Sequence, residues 1–361
     1  MDCVIKYNSE DGYLKNKKMK KVLVTGGIGY IGSHVVVELQ NSGFEVIIID
    51  DLSNSSLHVL DRIFNITKVK PLFEKIDLKD KYSVVDFFKR HVDIDGVIHF
   101  AASKAVGESV SNPLKYYENN ITSLVYLLQE VNKLESQKLI FSSSCTVYGQ
   151  SDELPITENA LIKEAESPYG NTKKIGEQII KDTCSASLSL KSIALRYFNP
   201  IGAHKSANIG ELPIGTPQNL VPFITQTGIG LREKLSIFGN DYPTPDGTCI
   251  RDYIHVVDLA KAHVIAIKRL LDEKNTDNYE VFNIGTGNGY SVKEVVNTFE
   301  EVSGLKLNYS FESRRPGDIV SAYADTTQAN SVLGWKSEFS LKEALTSAWE
   351  WEKRLKDNSI S

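Results

Sequence analysis

The 361-residue chain is long enough for one large domain or two ordinary ones, and 41% hydrophobic with 24% charged residues is the balance of a globular protein with a sizeable core. Its net charge of −5 excludes a large basic surface for nucleic acid, and no run approaches the ~18 apolar residues of a membrane helix. Cys3, Cys145, Cys184 and Cys249 are scattered and make no CxxC or Cys/His metal pattern, so free thiols in a reducing cytosol, and no metal, are expected.

Residues 1–19 read as a polar extension without the apolar core of a secretion signal, and Met19 offers an alternative start. KVLVT (21–25) is the first strand. A glycine loop and IGSHVVVELQNSG follow, helical up to Gly43, and EVIIID (45–50) is a second buried strand. Then come PLFEKID (71–77), a helix near 80–91, GVIHFAA (96–102), a long helix around 112–134 and KLIFSSS (138–144). The helix after Ser167 leads to KSIALRYFN (191–199). Continuous apolar strands between helices mean a parallel sheet covered on both faces. After 199 the texture changes. Pro213, Pro217, Pro222, Pro243 and Pro245, with many glycines, predict that long loops dominate 200–250. IHVVDLAKAHVIAIKRLL (254–271) is an amphipathic helix, VFNIG (281–285) is another buried strand, and the last 75 residues hold two or three more helices.

TGGIGYIGS (25–33) follows the first strand directly and opens a helix. Gly26 allows the tight turn, Gly29 lets backbone approach a pyrophosphate, and Gly32 lets helix and strand pack closely. The helix N-terminus offers N–H groups and positive dipole to the phosphates. Asp50 ends the second strand, 18 residues past Gly32, where a carboxylate accepts from an adenosine ribose and repels a 2′-phosphate. NAD is therefore expected rather than NADP, with Asp77 at another strand end near the adenine. The fold class is α/β: a Rossmann-type, doubly wound parallel sheet over 20–198, with returning segments near 254–284, and a smaller, partly interleaved C-terminal substrate domain over 199–361.

FSSSCTVYG (141–149) brings serines to the C-terminal end of a strand, facing the ligand crevice of an open sheet. SPYGNTKK (167–174) sets Tyr169 and Lys173 one helical turn apart, with Ser167 as cap and Pro168 in the first turn. That spacing is common and weak alone. Beside the glycine loop it reads as a base: a tyrosine of ordinary pKa ~10 is brought down by a nearby ammonium and a positive nicotinamide.

TGGIGYIGSH, HFAASKAVGES, YYENN, FSSSCTVYG, SPYGNTKK, RYFNPIGAH, RDYIHVVDLA and RRPGD together resemble the UDP-glucose (UDP-galactose) 4-epimerases of the extended short-chain dehydrogenase/reductase superfamily, from about residue 21 to about 355. The resemblance implies that Tyr169 as phenolate takes the proton of the sugar 4-hydroxyl, that Ser144 hydrogen-bonds that oxygen, and that hydride leaves C4 for tightly bound NAD and returns to the other face after the 4-ketose turns over. It implies cofactor contacts at Gly26, Gly29, Tyr30, Ile31, Gly32, Asp50, Asn54, Ser55, Asp77, Leu78, Phe100, Ala101, Ala102, Lys104, Asn119, Tyr169, Lys173 and Tyr197. It implies UDP-hexose contacts at Lys104, Ser144, Tyr169, Phe198, Asn199, Asn219, Leu220, Arg251, Tyr253, Arg315, Asp318 and Ala322, the two arginines suiting a diphosphate. It also implies a cytoplasmic homodimer formed by the helices around 80–91 and 112–134.

Departures from the family pattern are Ile28 in the glycine loop, tolerated if it points away from the pyrophosphate; Asp51, adding charge near the ribose; and Cys145 beside the serine run, a thiol open to oxidation. Ala322 stands where a tyrosine leaves no room for a 2-acetamido group, so UDP-GlcNAc and UDP-GalNAc are expected substrates as well, unless Tyr323 closes the space. His99 and His255 read as structural. The rival readings are a related NAD-dependent dehydratase or decarboxylase of nucleotide sugars and a non-catalytic NAD-sensing protein. Cys145-Thr146-Val147 lacks the acidic pair of a dehydratase, and the retained Ser144, Tyr169 and Lys173 oppose a sensor.

Overall fold

Strands that are apolar along their whole length need cover on both faces, and the chain supplies it by alternating them with helices. The computed structural model describes residues 19–187, 189–315 and 318–357. The polar extension and Cys3 lie outside the described residues. Strands β1 (Lys21–Thr25), β2 (Glu45–Asp50), β3 (Leu72–Lys75), β4 (Gly96–His99), β5 (Lys138–Ser144) and β6 (Lys191–Tyr197) come first in the chain. Short strands β7 (Asn199–Ile201), β8 (Leu235–Phe238), β9 (Ile250–Arg251) and β10 (Tyr253–His255) precede β11 (Tyr279–Ile284). The last are β12 (Tyr290–Ser291), β13 (Tyr309–Glu312) and β14 (Ser321–Ala322). The main sheet has seven parallel strands in the order β11-β6-β5-β4-β1-β2-β3.

Side chains alternate between two cores, as the pleat requires. Val22, Val24, Ile48, Ile98 and Ile140 face one side, against α1 (Tyr30–Asn41), α2 (His58–Thr67) and α9 (Val256–Leu271). Leu23, Ile47, Ile49, Val97 and Phe141 face the other, against α3 (Lys81–Arg90), α6 (Ser123–Val131) and α7 (Pro168–Ala186). Thus α9 and β11, far along the chain, complete the sheet layers. A separate apolar cluster joins β8 to α8 (Leu220–Gly228), α10 (Val292–Ser303) and α11 (Leu341–Asp357) through Ile224, Phe299, Leu345 and Trp349.

One reading of the sequence needs correction, and some elements were not anticipated. The long helix expected at 112–134 is broken: α5 (Pro113–Tyr117) runs into a π turn, Glu118–Thr122, before α6, so the extra residue re-aims Asn119 and Asn120 at the loop after β4. Long loops do dominate 200–250, as expected, but the stretch also holds α8 and β8. Pro222 lies in the first turn of α8, where a missing N–H costs nothing. The helix α2 and the short α4 (Val106–Ser111) were not legible as periodic segments.

One buried ion pair ties helix to sheet beneath the crevice. Arg196 of β6 donates through Nη2 to Glu177 Oε2 of α7 at 2.6 Å and through Nε to Oε1 at 2.9 Å. Ser143 donates to the same carboxylate, Arg196 Nη1 donates to the Tyr148 hydroxyl at 3.0 Å, and that hydroxyl donates to Asn283 Oδ1 at 2.6 Å. Both ionic side chains are at most 8% exposed, so removing one strands the other. Arg196→Met is expected to cost about 3–5 kcal/mol of unfolding free energy, read by urea denaturation, and the double variant with Glu177→Leu to recover most of it.

Candidate active site

The order of the sheet reverses between β1 and β4, which opens a crevice at their C-terminal ends. The glycine loop forms one wall. Gly26 has φ +70° and its backbone packs so closely on the loop after β4 that an added Cβ would lie 2.9 Å from Ala101 N. At Gly32 an added Cβ would lie 2.2 Å from Gly26 O, so only glycine lets α1 start there. An added Cβ on Gly29 meets only Gly26 O, at 3.3 Å, and its other side is open. Gly29 is the N-cap of α1, with no side-chain cap and no acidic residue in the first turn. The N–H groups of this first turn thus have no capping side chain, which fits a pyrophosphate. Ile28 is 2% exposed within the sheet core, pointing away from that space.

Asp50 closes the ribose end. Its Oδ1 accepts from Leu52 N at 3.0 Å and from the Ser55 hydroxyl at 2.7 Å, while burial pushes its carboxyl upward. Asp51 is occupied by Ser53, through N at 2.8 Å and the hydroxyl at 2.6 Å. Asn54 is exposed and joins none of these bonds. Asp77 Oδ1 accepts from Lys79 N at 2.9 Å, and Leu78 is buried beside it. Phe100, Ala101 and Ala102 continue from β4, Phe100 at 4.7 Å from the His263 ring. The loop is then held by Asn120, which accepts from Ser103 N at 2.8 Å and donates to Thr172 of α7 at 3.0 Å; Asn119 donates to the Ser103 hydroxyl at 3.3 Å. Ile31 packs partly buried on the sheet, and the Tyr30 hydroxyl donates to Gly202 O at 2.6 Å.

Ser144 ends β5, paired with Tyr197 of β6. Ser167 caps α7, accepting from Gly170 N at 3.1 Å, and Pro168 opens the helix as the sequence implies. The first turn then presents Tyr169, which is 7% exposed, as Ser144 is at 6%. Burial pushes this phenol well up, Tyr197 adds to the effect, and Ser144 opposes it. Lys173 Nζ donates to Ser142 O at 2.6 Å and sits over the Phe141 ring at 4.9 Å. Its burial brings it down to about 8, with Glu177 pulling the other way. The Lys173 ammonium is held by a main-chain carbonyl, so lowering the phenol calls on the nicotinamide charge that the sequence reading paired with it. Tyr197 exchanges a 2.6 Å hydrogen bond with Ser142.

The far wall comes from the later chain. Arg251 in β9 pairs with Ala322 of β14 in register, and Asp318 Oδ1 lies 3.7 Å from its guanidinium. Arg315 donates to the same carboxylate at 3.0 Å and 3.3 Å and lies 4.8 Å over the Phe238 ring. One aspartate thus holds both arginines. Asp252 anchors them from behind: its buried carboxylate accepts from Thr286 N at 2.8 Å and from the Thr286 hydroxyl at 2.7 Å, and also from Gly287 N and Ala324 N. Phe198 and Ala322 pack in one cluster with Tyr148 and Cys145. Asn199 N donates to Asp252 O at 2.9 Å, and Tyr253 is buried beyond. Asn219 and Leu220 open α8, and Asn219 Nδ2 and Lys104 Nζ both reach Glu211 Oε1, at 2.6 Å and 3.4 Å. Sequence reasoning missed Glu211, Asn120 and Asp252; each acts through contacts between distant segments that no local pattern announces.

Burial pushes the Cys145 thiol up to about 12, against the pull of Arg251, which disfavours the thiolate. His99 is brought down to about 3 by burial and bonds the Thr25 hydroxyl at 2.8 Å; His255 caps α9, accepting from Val257 N at 3.0 Å. Both are structural. Among the described residues no group of three or more His, Cys, Asp or Glu is placed to hold a metal.

The family described as GDP-mannose 4,6 dehydratase matches residues 23–348. The UDP-glucose 4-epimerase of Bacillus subtilis is 50% identical over 331 residues, 92% of this chain and 96% of that one. Among solved structures, the UDP-glucose-4-epimerase of Stenotrophomonas maltophila, with bound NAD and formylated UDP-arabinopyranose, superposes with a TM-score of 0.90 at 44% identity, covering 94% of this chain and 99% of that one. That of Bifidobacterium longum, in complex with NAD+ and UDP, gives 0.89 at 44% identity, covering 93% and 98%.

The two glycines separate packing from binding. Gly29→Ala is expected to leave the thermal midpoint of the protein stripped of dinucleotide nearly unchanged while weakening NAD binding more than about tenfold, ~1.4 kcal/mol. Gly32→Ala, driven into the Gly26 carbonyl, is expected to lower both; calorimetric titration with NAD alongside thermal melts checks this.

Proposed function

The chain belongs to the UDP-glucose 4-epimerase family, within the extended short-chain dehydrogenase/reductases, and from that premise we infer how its residues interconvert UDP-galactose and UDP-glucose. Bound NAD supplies the hydride acceptor for sugar C4 and the donor that returns the hydride to the opposite face of the 4-keto sugar. The rest falls to the chain. The glycine loop and the N-terminus of α1 would hold the pyrophosphate, and Asp50 the adenosine ribose. Tyr169 is the group that takes the 4-hydroxyl proton and gives it back. Ser144 steadies the same oxygen, and Lys173 fixes the electrostatics below. The observation that carries this reading is Tyr169, 7% exposed in the first turn of α7, one turn before a Lys173 whose Nζ donates to Ser142 O at 2.6 Å, two residues from Ser144 at the crevice end of β5.

Arg251 and Arg315 would meet the diphosphate, with Asp318 as their partner until it arrives. The matched family description names a dehydratase, yet the residues after Ser144 are Cys145, Thr146 and Val147. Thr146 bonds back to Ser144 through N at 3.2 Å and hydroxyl at 3.0 Å, so no carboxylate stands there for proton transfer at C5. A sensor reading is disfavoured because Ser144, Tyr169 and Lys173 are all retained.

Ala322, 2% exposed, carries no bulk toward Phe198 and Cys145, while Tyr323 lies against Gly289. That supports acceptance of UDP-GalNAc and UDP-GlcNAc. The division into a dinucleotide half (20–198 with the returning α9 and β11) and a UDP-sugar half (199–361) is part of the same proposal. So is a cytoplasmic homodimer through α3 and the broken α5–α6 helix, where Tyr82 is 89% and Leu114 77% exposed. No helix among the described residues is long and apolar enough to cross a membrane.

Purified protein without added NAD is expected to equilibrate UDP-galactose with UDP-glucose, and UDP-GalNAc with its epimer, followed by proton NMR. Tyr169→Phe is expected to lower kcat by about 10³-fold with KM little changed. Ala322→Tyr is expected to abolish turnover of the N-acetylated sugars and spare UDP-galactose; turnover of UDP-galactose alone by the unaltered protein would reject the Ala322 argument.

A further inference from the structure

Glu211 sits in the loop between β7 and α8 and belongs to no motif. Its backbone is fixed. Ala203 and Gly210 form an antiparallel bridge, His204 N donates to Ile209 O at 3.0 Å, and Trp351 Nε1 donates to the Glu211 carbonyl at 2.9 Å. Gly210 lies so close to the Trp351 ring that an added Cβ would come within 2.6 Å of it. The side chain projects from this anchor and is only 12% exposed, whereas that of Lys104 is 48% exposed. Its Oε1 is shared by two donors from different parts of the chain: Asn219 Nδ2 at the start of α8, 2.6 Å away, and Lys104 Nζ from the loop after β4, 3.4 Å away. Lys104 lies at the same time 5.9 Å over the Tyr30 ring of the glycine loop.

A staple that only closed its own loop would need Asn219 and nothing else. This carboxylate also reaches a lysine 107 positions away, on the opposite wall, and both its donors are assigned to nucleotide-sugar binding above. We propose that Glu211 is a positioning residue for nucleotide-sugar binding, holding the Asn219 amide and the Lys104 ammonium in one place so that both walls of the crevice are set before substrate arrives. The proposal rests on the epimerase reading. Its physical basis is pre-organisation: a long, half-exposed lysine would otherwise sample many rotamers and lose them on binding. A hydrogen bond to a charged group, removed, weakens a bound state by roughly tenfold or more.

The test compares Glu211→Gln and Glu211→Ala with the unaltered protein. In Glu211→Ala the KM for UDP-galactose and the Kd for UDP, by calorimetry, are expected to rise about tenfold. kcat is expected to stay within about twofold, since no group on the reacting atoms changes. Glu211→Gln keeps an acceptor for Asn219 and loses the charge facing Lys104, and is expected to fall in between. Adding Lys104→Ala to Glu211→Ala should cost less than the two single losses combined, because one acts through the other. Unchanged KM and UDP affinity in a folded Glu211→Ala, or strictly additive losses, would overturn the proposal. Failure of the unaltered protein to epimerise UDP-galactose would instead overturn the functional reading beneath it.

Discussion

Burying a lysine is the constraint on which the crevice depends. Lys173 is 4% exposed, and the charged form of a group so placed survives only if something inside the protein answers it. The serine run of β5 supplies that answer one residue at a time. Ser142 offers its carbonyl to the ammonium and its hydroxyl to Tyr197; Ser143 bonds Glu177, one helical turn beyond Lys173; Ser144 faces Tyr169, one turn before it. The three polar side chains of α7 at spacings of four line one face, and three consecutive serines meet them. Arg196 closes the chain of charges by neutralising Glu177. A strand with apolar residues at 142–144 would keep the carbonyl for Lys173 but lose the hydroxyls that bond Tyr197 and Glu177.

The opposite wall works by a similar economy with the sign reversed. Its carboxylates keep positive groups occupied: Asp318 both arginines of its own wall, Glu211 the Lys104 ammonium across the crevice. A diphosphate must displace or share these partners, so binding exchanges one set of charge-assisted bonds for another. The gain lies in geometry fixed beforehand rather than in new charge. It also means the net negative chain can hold an anionic ligand without a broad basic surface.

Much of this was legible from residues alone, for a reason that differs by element. The buried strands β1, β2, β5 and β6 stood out because a two-sided core demands unbroken apolar runs, and the glycine loop because its spacing has steric consequences at Gly26 and Gly32. Tyr169 and Lys173 were legible because a helical turn fixes their common face. What was hidden depends on tertiary contacts. Pro222 disguised α8, since a proline is as acceptable in a first turn as in a loop. The π turn at Glu118–Thr122 has no periodic signature, and it exists to bring Asn120 to Ser103 and Thr172. The direction of Lys173 could not be read either, because spacing gives a face but not which acceptor the ammonium will find.

Asp252 and the strand beyond it carry a kinetic consequence. β10 ends at His255, and α9 begins at the next residue with His255 itself as its cap. No residue between the arginine-bearing β9–β10 segment and the helix that underlies the glycine loop is free to change its backbone angles, which a hinge requires. Asp252, bonded to the loop after β11 and to Ala324, locks the near end of that lever. The two walls therefore cannot swing apart about this connection. Any opening of the crevice must then be taken up in other connections, such as the loop from β7 to α8, and proceeds at the rate at which those segments move.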